Sequence, residues 1–136
     1  MHRVKLRVPA SYKFLSPVFY LTEKLIETFS SDEKALAVFP LAVQEIMANI
    51  IEHSYQGREG EIAIMWEVDE EGIEVNFLFG GRRVEIPRRD FDLMKKMKER
   101  RGRGLGLEIV RKIADEMEYG KKGGKNWWRI ARKFRN

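Results

Sequence analysis

The chain has 136 residues, 43% of them hydrophobic, with 8 Phe, 3 Trp and 4 Tyr, which is one domain's length and enough apolar material to exclude wholesale disorder. It holds no cysteine and only two histidines, so disulfide scaffolds, thiolate zinc sites, iron–sulfur clusters, cysteine nucleophiles and histidine-rich metal centres are excluded. The net charge of +5 is uneven: residues 82–103 hold ten Lys/Arg against four Asp/Glu, 121–135 hold seven against none, and the rest sums to −8. That asymmetry points to an acidic partner or a phosphate near the basic segments.

No repeat, low-complexity tract or linker divides the sequence, so 1–136 reads as a single domain. No apolar run approaches the roughly 20 residues of a bilayer span, and 1–17 lacks the apolar stretch of a signal peptide. The expectation is a cytoplasmic protein with no membrane attachment. Val4, Leu6 and Val8 alternate with Lys5 and Arg7, as in a half-buried strand. Ser16-Pro17 reads as an N-cap and first-turn proline, and Leu21, Leu25, Ile26 and Phe29 carry a first helix. Ser31 or Asp32 caps a second helical pattern that continues to about Tyr55, with Pro40 expected to kink or split it. A turn over 57–60 leads to strands over 62–68 and 73–79, joined as a hairpin through Asp69-Glu70-Glu71-Gly72. Gly80-Gly81 breaks the second strand. An extended piece over 84–86, a charged helix over 90–98 and a flexible glycine loop over 102–106 follow. The pattern then predicts a helix over 107–117, with Leu107, Val110, Ile113, Ala114 and Met117 as its apolar face. A turn over 120–125 and a last strand over 126–134 complete an α+β sandwich with helices on one sheet face.

Glu45, Asn49 and His53 recur at four-residue intervals and share one stripe of the second helix. A carboxylate one turn before an amide oxygen suits hydrated magnesium and activation of a hydroxyl. The same stripe also reads as an ordinary polar helix face. In Gly102-Arg103-Gly104-Leu105-Gly106, alternate glycines let backbone N–H groups converge on an anion at a helix start. Arg100, Arg101 and Arg103 add charge suited to a triphosphate. A hinge is the competing reading, whereas Rossmann and Walker loops are excluded by position and by the missing Gly-Lys-Ser/Thr. In the last strand Trp127, Trp128 and Phe134 alternate with Arg129, Arg132 and Lys133. This fits either a single-stranded nucleic-acid surface or, as expected here, aromatics packed under helices.

The two constellations in this order resemble a known family. Glu45-Ile-Met-Ala-Asn49-Ile-Ile-Glu-His53-Ser-Tyr55 is similar to the asparagine box of the histidine-kinase-like ATPases, and Gly102-Arg-Gly-Leu-Gly-Leu107 to their later glycine box. At this length the chain most resembles the bacterial anti-sigma factor serine kinases. The resemblance implies the Bergerat fold, a two-layer α/β sandwich that binds ATP between its helices and a lid formed here by 82–103. It implies Glu45 as the catalytic base, Asn49 as the magnesium holder, and Gly102, Gly104, Leu105 and Gly106 around the phosphates. An arginine such as Arg101 or Arg103 would reach the terminal phosphate. His53 would either face the nucleotide or cap the helix end. The implied partners are a sigma factor and an anti-sigma antagonist carrying the target serine, and the implied assembly is a homodimer.

Two of the family's motifs are altered. The family aspartate that accepts a hydrogen bond from the adenine amine falls on Phe79, followed by Gly81 as the first glycine and Arg83 in place of the second. Asp69-Glu70-Glu71-Gly72 looks like the missing box but sits one strand too early. A carboxylate–amine hydrogen bond is worth roughly 1.5–3 kcal/mol, so its loss would weaken binding about ten- to a hundredfold. The glycine–threonine pair before the last strand becomes Gly124-Lys125-Asn126, where Asn126 still offers a hydrogen bond. The leading expectation is an ATP- and magnesium-dependent kinase that phosphorylates a serine on an antagonist protein. The alternatives are a pseudokinase that switches partners with weak or no ATP binding, and a basic nucleic-acid-binding module.

Overall fold

Alternation of apolar and polar residues builds one five-stranded antiparallel sheet from β1 (His2–Pro9), β2 (Glu61–Val68), β3 (Gly72–Phe79), β4 (Glu116–Lys122) and β5 (Lys125–Lys133), in spatial order β1-β2-β3-β5-β4. The computed structural model describes residues 1–82 and 103–136, with 103–106 described at the level of the helix backbone. Ile62, Ile64, Trp66 and Val68 of β2, Ile73, Val75, Phe77 and Phe79 of β3, and Trp128 and Ile130 of β5 are all buried on the same face. Helices α1 (Leu15–Phe29), α2 (Glu33–Asn49) and α3 (Arg103–Ile113) cover that face, with α2 between the other two. Burial of these side chains, each worth about 1.5–3 kcal/mol against exposure, drives the two-layer arrangement.

Local chemistry sets the element ends. Asp32 caps α2 by accepting from Ala35 N–H at 3.0 Å, as its position predicts. α1 starts one residue before Ser16, with no side-chain cap, and the chain enters it through a 3₁₀ turn (Tyr12–Phe14) capped by Ser11. α2 runs through Pro40 without splitting. By length and composition the Glu33–Tyr55 stretch is apolar enough to cross a membrane, contrary to the sequence reading, but 61% of its most apolar window is buried in this fold. The Asp69 turn is the hairpin it was expected to be, with Asp69 Oδ1 accepting from Glu71 and Gly72 N–H.

The largest departure is at the C-terminal end. The helix predicted over 107–117 runs instead over Arg103–Ile113, and the residues expected to finish it and turn begin an edge strand, β4. The buried Arg132 guanidinium donates to Ile113 carbonyl oxygen at 2.7 Å and stops the helix there, while Asp115 N–H donates to Ala131 at 2.9 Å and enters the sheet. Glu116-Met117-Glu118-Tyr119 then alternates, its carboxylates outward and Met117 and Tyr119 against the core. The predicted extended piece over 84–86, the charged helix over 90–98 and the greater part of the basic lid lie outside the described residues.

Candidate functional site

The end of α2, the exit of β3 and the entry of β5 meet at one corner of the fold. Asn49, the last residue of α2, is 2% exposed, and its Nδ2 donates to the carbonyl of Glu45 at 2.7 Å. That bond orients the amide and leaves Oδ1 as its remaining acceptor. Glu45, one turn earlier, is half-buried. Beyond Asn49 the helix widens into a π-helical turn (Ile50–Tyr55), closed by Gln56 N–H donating to Ile51 at 3.1 Å. Such turns are rare and concentrate at functional sites. His53 lies within this turn, its Nε2 4.0 Å from the Glu52 carboxylate. The stop is made by Gln56 in the left-handed conformation, so His53 is not the terminal cap.

The π-helical turn grips the exit of β3. Tyr55 hydroxyl donates to Glu61 carbonyl oxygen and accepts from Gly80 N–H at 2.9 Å, while Ser54 carbonyl oxygen accepts from Arg82 N–H at 2.9 Å. Gly81 sits at φ +75°, and a Cβ there would fall 2.4 Å from Ser54 carbonyl oxygen, so this close approach requires glycine. From the other side Asn126 Nδ2 donates to the carbonyls of Gly80 and Gly81, each at 3.3 Å. Asn126 is 2% exposed and pairs directly with Phe79, which is 1% exposed and lies 6.4 Å, centroid to centroid, from the Tyr119 ring. Phe79 is thus part of the core. Among the described residues, two buried atoms here, Asn126 Oδ1 and Ser54 Oγ, have no hydrogen-bond partner.

Sequence reasoning found Asn49, Gly81, Phe79 and Asn126 but missed Ser54, Tyr55 and Gly80 as parts of the corner. The signal for them was the Tyr55-Gln56-Gly57 stop, whose left-handed residues end the π-helical turn. Gly104, Leu105 and Gly106, expected in a flexible loop, are helical and form the start of α3. Their replacement of loop by helix has a physical reason: α3 packs on α2 through Leu107 and Val110, and burying that face extends the helix backwards. The free N–H groups of a helix's first turn can receive an anion. Arg101 and Gly102 lie outside the described residues, and of Arg103 only the backbone is described.

Several aromatic and basic groups of the last strand are engaged within the fold. Trp128 is fully buried, and Trp127 donates Nε1–H to Asn76 at 2.8 Å. Arg129 is neutralised by Glu74, Glu116 and Glu118, at 2.6, 3.0 and 3.0 Å. Burial works against its charge, but the bonds it donates to Glu74 and Glu116 outweigh this and raise its pKa. A shallow apolar groove of about 340 Å³, floored by Met65, Leu78 and Trp127, lies on the sheet face away from the helices and shares no residue with this corner.

Comparison with known proteins agrees with this architecture. The family model described as a histidine kinase-like ATPase domain matches residues 8–131. Among curated proteins, the serine-protein kinase RsbW of Bacillus cereus strain Q1 is 21% identical over 123 residues, covering 85% of this chain and 76% of that protein. RsbW of strain AH187 is 24% identical over 126 residues with the same coverages, and RsbW of Bacillus anthracis is 21% identical over 123 residues, again covering 85% and 76%.

Proposed function

The chain belongs to the histidine kinase-like ATPase family, and from that premise we propose that it is a cytoplasmic, ATP-dependent protein serine kinase of the anti-sigma type. Its substrate is a serine on an antagonist protein, and its second partner is a sigma factor. The relatives' printed name, serine-protein kinase, supports the phosphoryl-transfer half of this reading. The sigma and antagonist partners rest on the resemblance of the two sequence boxes.

The observation that carries the proposal is the Asn49 amide, buried and turned by its own helix so that one oxygen remains available one turn from Glu45. Among the described residues Asn126 Oδ1 and Ser54 Oγ lack partners at the same corner, which supports a polar role for it. In this reading Asn49 would hold magnesium, which would neutralise phosphate charge when bound. The first-turn N–H groups of α3, at Gly104, Leu105 and Gly106, receive phosphate oxygens, with Arg101, Gly102 and Arg103 completing that contact. Gly81 and His53 border the nucleoside, with Phe79 in the core beneath them. Glu45 takes the proton of the incoming serine hydroxyl as its oxygen bonds to the terminal phosphorus, the bridging P–O bond breaks and ADP departs.

The test is a thermal melt with and without Mg-ATP, alongside phosphate transfer to a serine-bearing antagonist. A rise in Tm that Asn49→Ala abolishes is the expected result. No rise at millimolar Mg-ATP would remove the kinase reading.

One observation favours a second reading. Phe79 puts a buried ring where the resemblance implies an adenine-binding carboxylate, as in a pseudokinase that exchanges partners without phosphorylating them. Intact partner binding with no transfer would select it.

A further inference from the structure

The sheet face turned away from the helices carries its cations in two different states. Arg3 is paired with Glu67 at 3.5 Å, and Arg129 is held by Glu74, Glu116 and Glu118. Lys5 and Arg7 on β1 and Lys122 on β4 are exposed and, among the described residues, form no ion pair. These three rim the apolar groove floored by Met65, Leu78 and Trp127. Lys122 Nζ stands 5.8 Å from the centre of the Trp127 ring. An apolar floor within an unneutralised basic rim favours an occupant that is apolar in the middle and acidic at its margins.

The fold also sets the shape of that occupant. In the order β1-β2-β3-β5-β4, four strand spacings separate the two basic flanks, about 19 Å between backbones. A small anion cannot engage both flanks, whereas a helix of about 13 residues spans them. The polar groups of the floor are engaged within the sheet: Trp127 Nε1–H donates to Asn76 at 2.8 Å, and Asn76 Nδ2 donates to Glu74 at 3.0 Å. An extended segment laid on this floor leaves its backbone groups without partners, but a helix satisfies its own. A second copy of this chain is the poorer occupant. A two-fold axis through the groove exchanges the flanks, and so brings the Lys122 flank of one copy over the Lys5–Arg7 flank of the other.

We propose that this groove is the docking site of an acidic amphipathic helix carried by a partner protein. Its apolar side chains, at helical spacing, seat on Met65, Leu78 and Trp127. Carboxylates toward its two ends reach Lys5 and Arg7 on one flank and Lys122 on the other. Their attraction steers the encounter, and burial of the apolar floor holds the complex. The groove lies apart from the nucleotide corner, so this inference does not rest on the kinase reading and its failure leaves that reading untouched.

The test is a nuclear magnetic resonance titration of the nitrogen-15-labelled full chain with a helix-stapled peptide of about 16 residues. The peptide carries leucine on one face and glutamate elsewhere, and its twin has lysine for every glutamate. The glutamate peptide moves the indole N–H signal of Trp127 and leaves those of Trp66 and Trp128, buried on the other face, in place. The lysine twin moves none of them. Reversing both charges of one flank, Lys5→Glu with Arg7→Glu, weakens binding at least about tenfold, and Lys122→Glu about threefold. Equal binding of the two peptides overturns the inference, as does a Trp127 signal that stays still or an affinity that the charge reversals leave unchanged. So does ultracentrifugation of the chain alone showing a dimer that Leu78→Glu dissociates, because the face then belongs to a second copy. The two peptides differ in charge against the same wild-type chain, so that comparison decides even where a variant fails to fold.

Discussion

The α2 half of the corner and the β3–β5 half are built by different means. On α2, Glu45 and Asn49 lie one turn apart, and Asn49 is anchored by a bond to its own helix. At β3–β5, Phe79 belongs to the core, and a cross-strand asparagine holds the glycine pair. A metal and phosphate contact needs a particular charge and reach, which few side chains supply.

The comparison breaks most visibly if Phe79 is not the core residue described here. Phe79→Ala should cost about 3–5 kcal/mol in chemical denaturation; a loss under about 1 kcal/mol would mean the ring is dispensable filling. The α2 half is sharpened next by Glu45→Gln. Phosphate transfer should fall by roughly 10²–10⁴ while ATP affinity holds, and a matching loss of affinity would instead make Glu45 a binding group. Asn49→Ala should cancel nucleotide stabilisation, which for the wild type is about 2.7 kcal/mol at a hundredfold excess over Kd, as read from melts with and without Mg-ATP.

The smallest effect concerns the frame both halves share. Asp32→Ala should cost about 1–2 kcal/mol through loss of the α2 cap. Burial alone would raise the Asp32 carboxyl pKa, but N–H groups of Ala35 and Arg135 and the Arg132 charge outweigh it and hold it below the usual range. Asp115 is likewise opposed by burial and lowered by Lys133 N–H and the Arg135 guanidinium. Carboxyls depressed by folding stabilise the protein above the ordinary aspartate pKa and lose that contribution as pH falls through the folded value. Stability should therefore be flat toward neutrality and decline below pH about 4. Asp32→Asn should make the decline shallower, and an unchanged acid limb would remove Asp32 from the account.

The contrast between the halves also explains what could be read early. Glu45 and Asn49 lie on one helix, so four-residue spacing was sufficient to align them. Tyr55, Gly80 and Asn126 are remote in the chain, and nothing local announces that a tyrosine hydroxyl, a glycine N–H and an amide will meet. Glu116–Lys122 was misread because Leu107, Val110, Ile113, Ala114 and Met117 continue a helical period into a segment that also alternates. Pairing with β5 and the Arg132 bond to Ile113 chose between the two periods.

By itself the amino-acid order determined the helix–hairpin–helix plan, the half-buried strands and the polar stripe of α2, because those follow from periodicity and capping within a single element. Only the tertiary structure decided that Phe79 is core, that β4 is a strand, and that two unpartnered polar atoms share a glycine corner. Those outcomes depend on which distant backbone groups and side chains compete for the same buried space, and that competition exists only once the sheet has closed against α2.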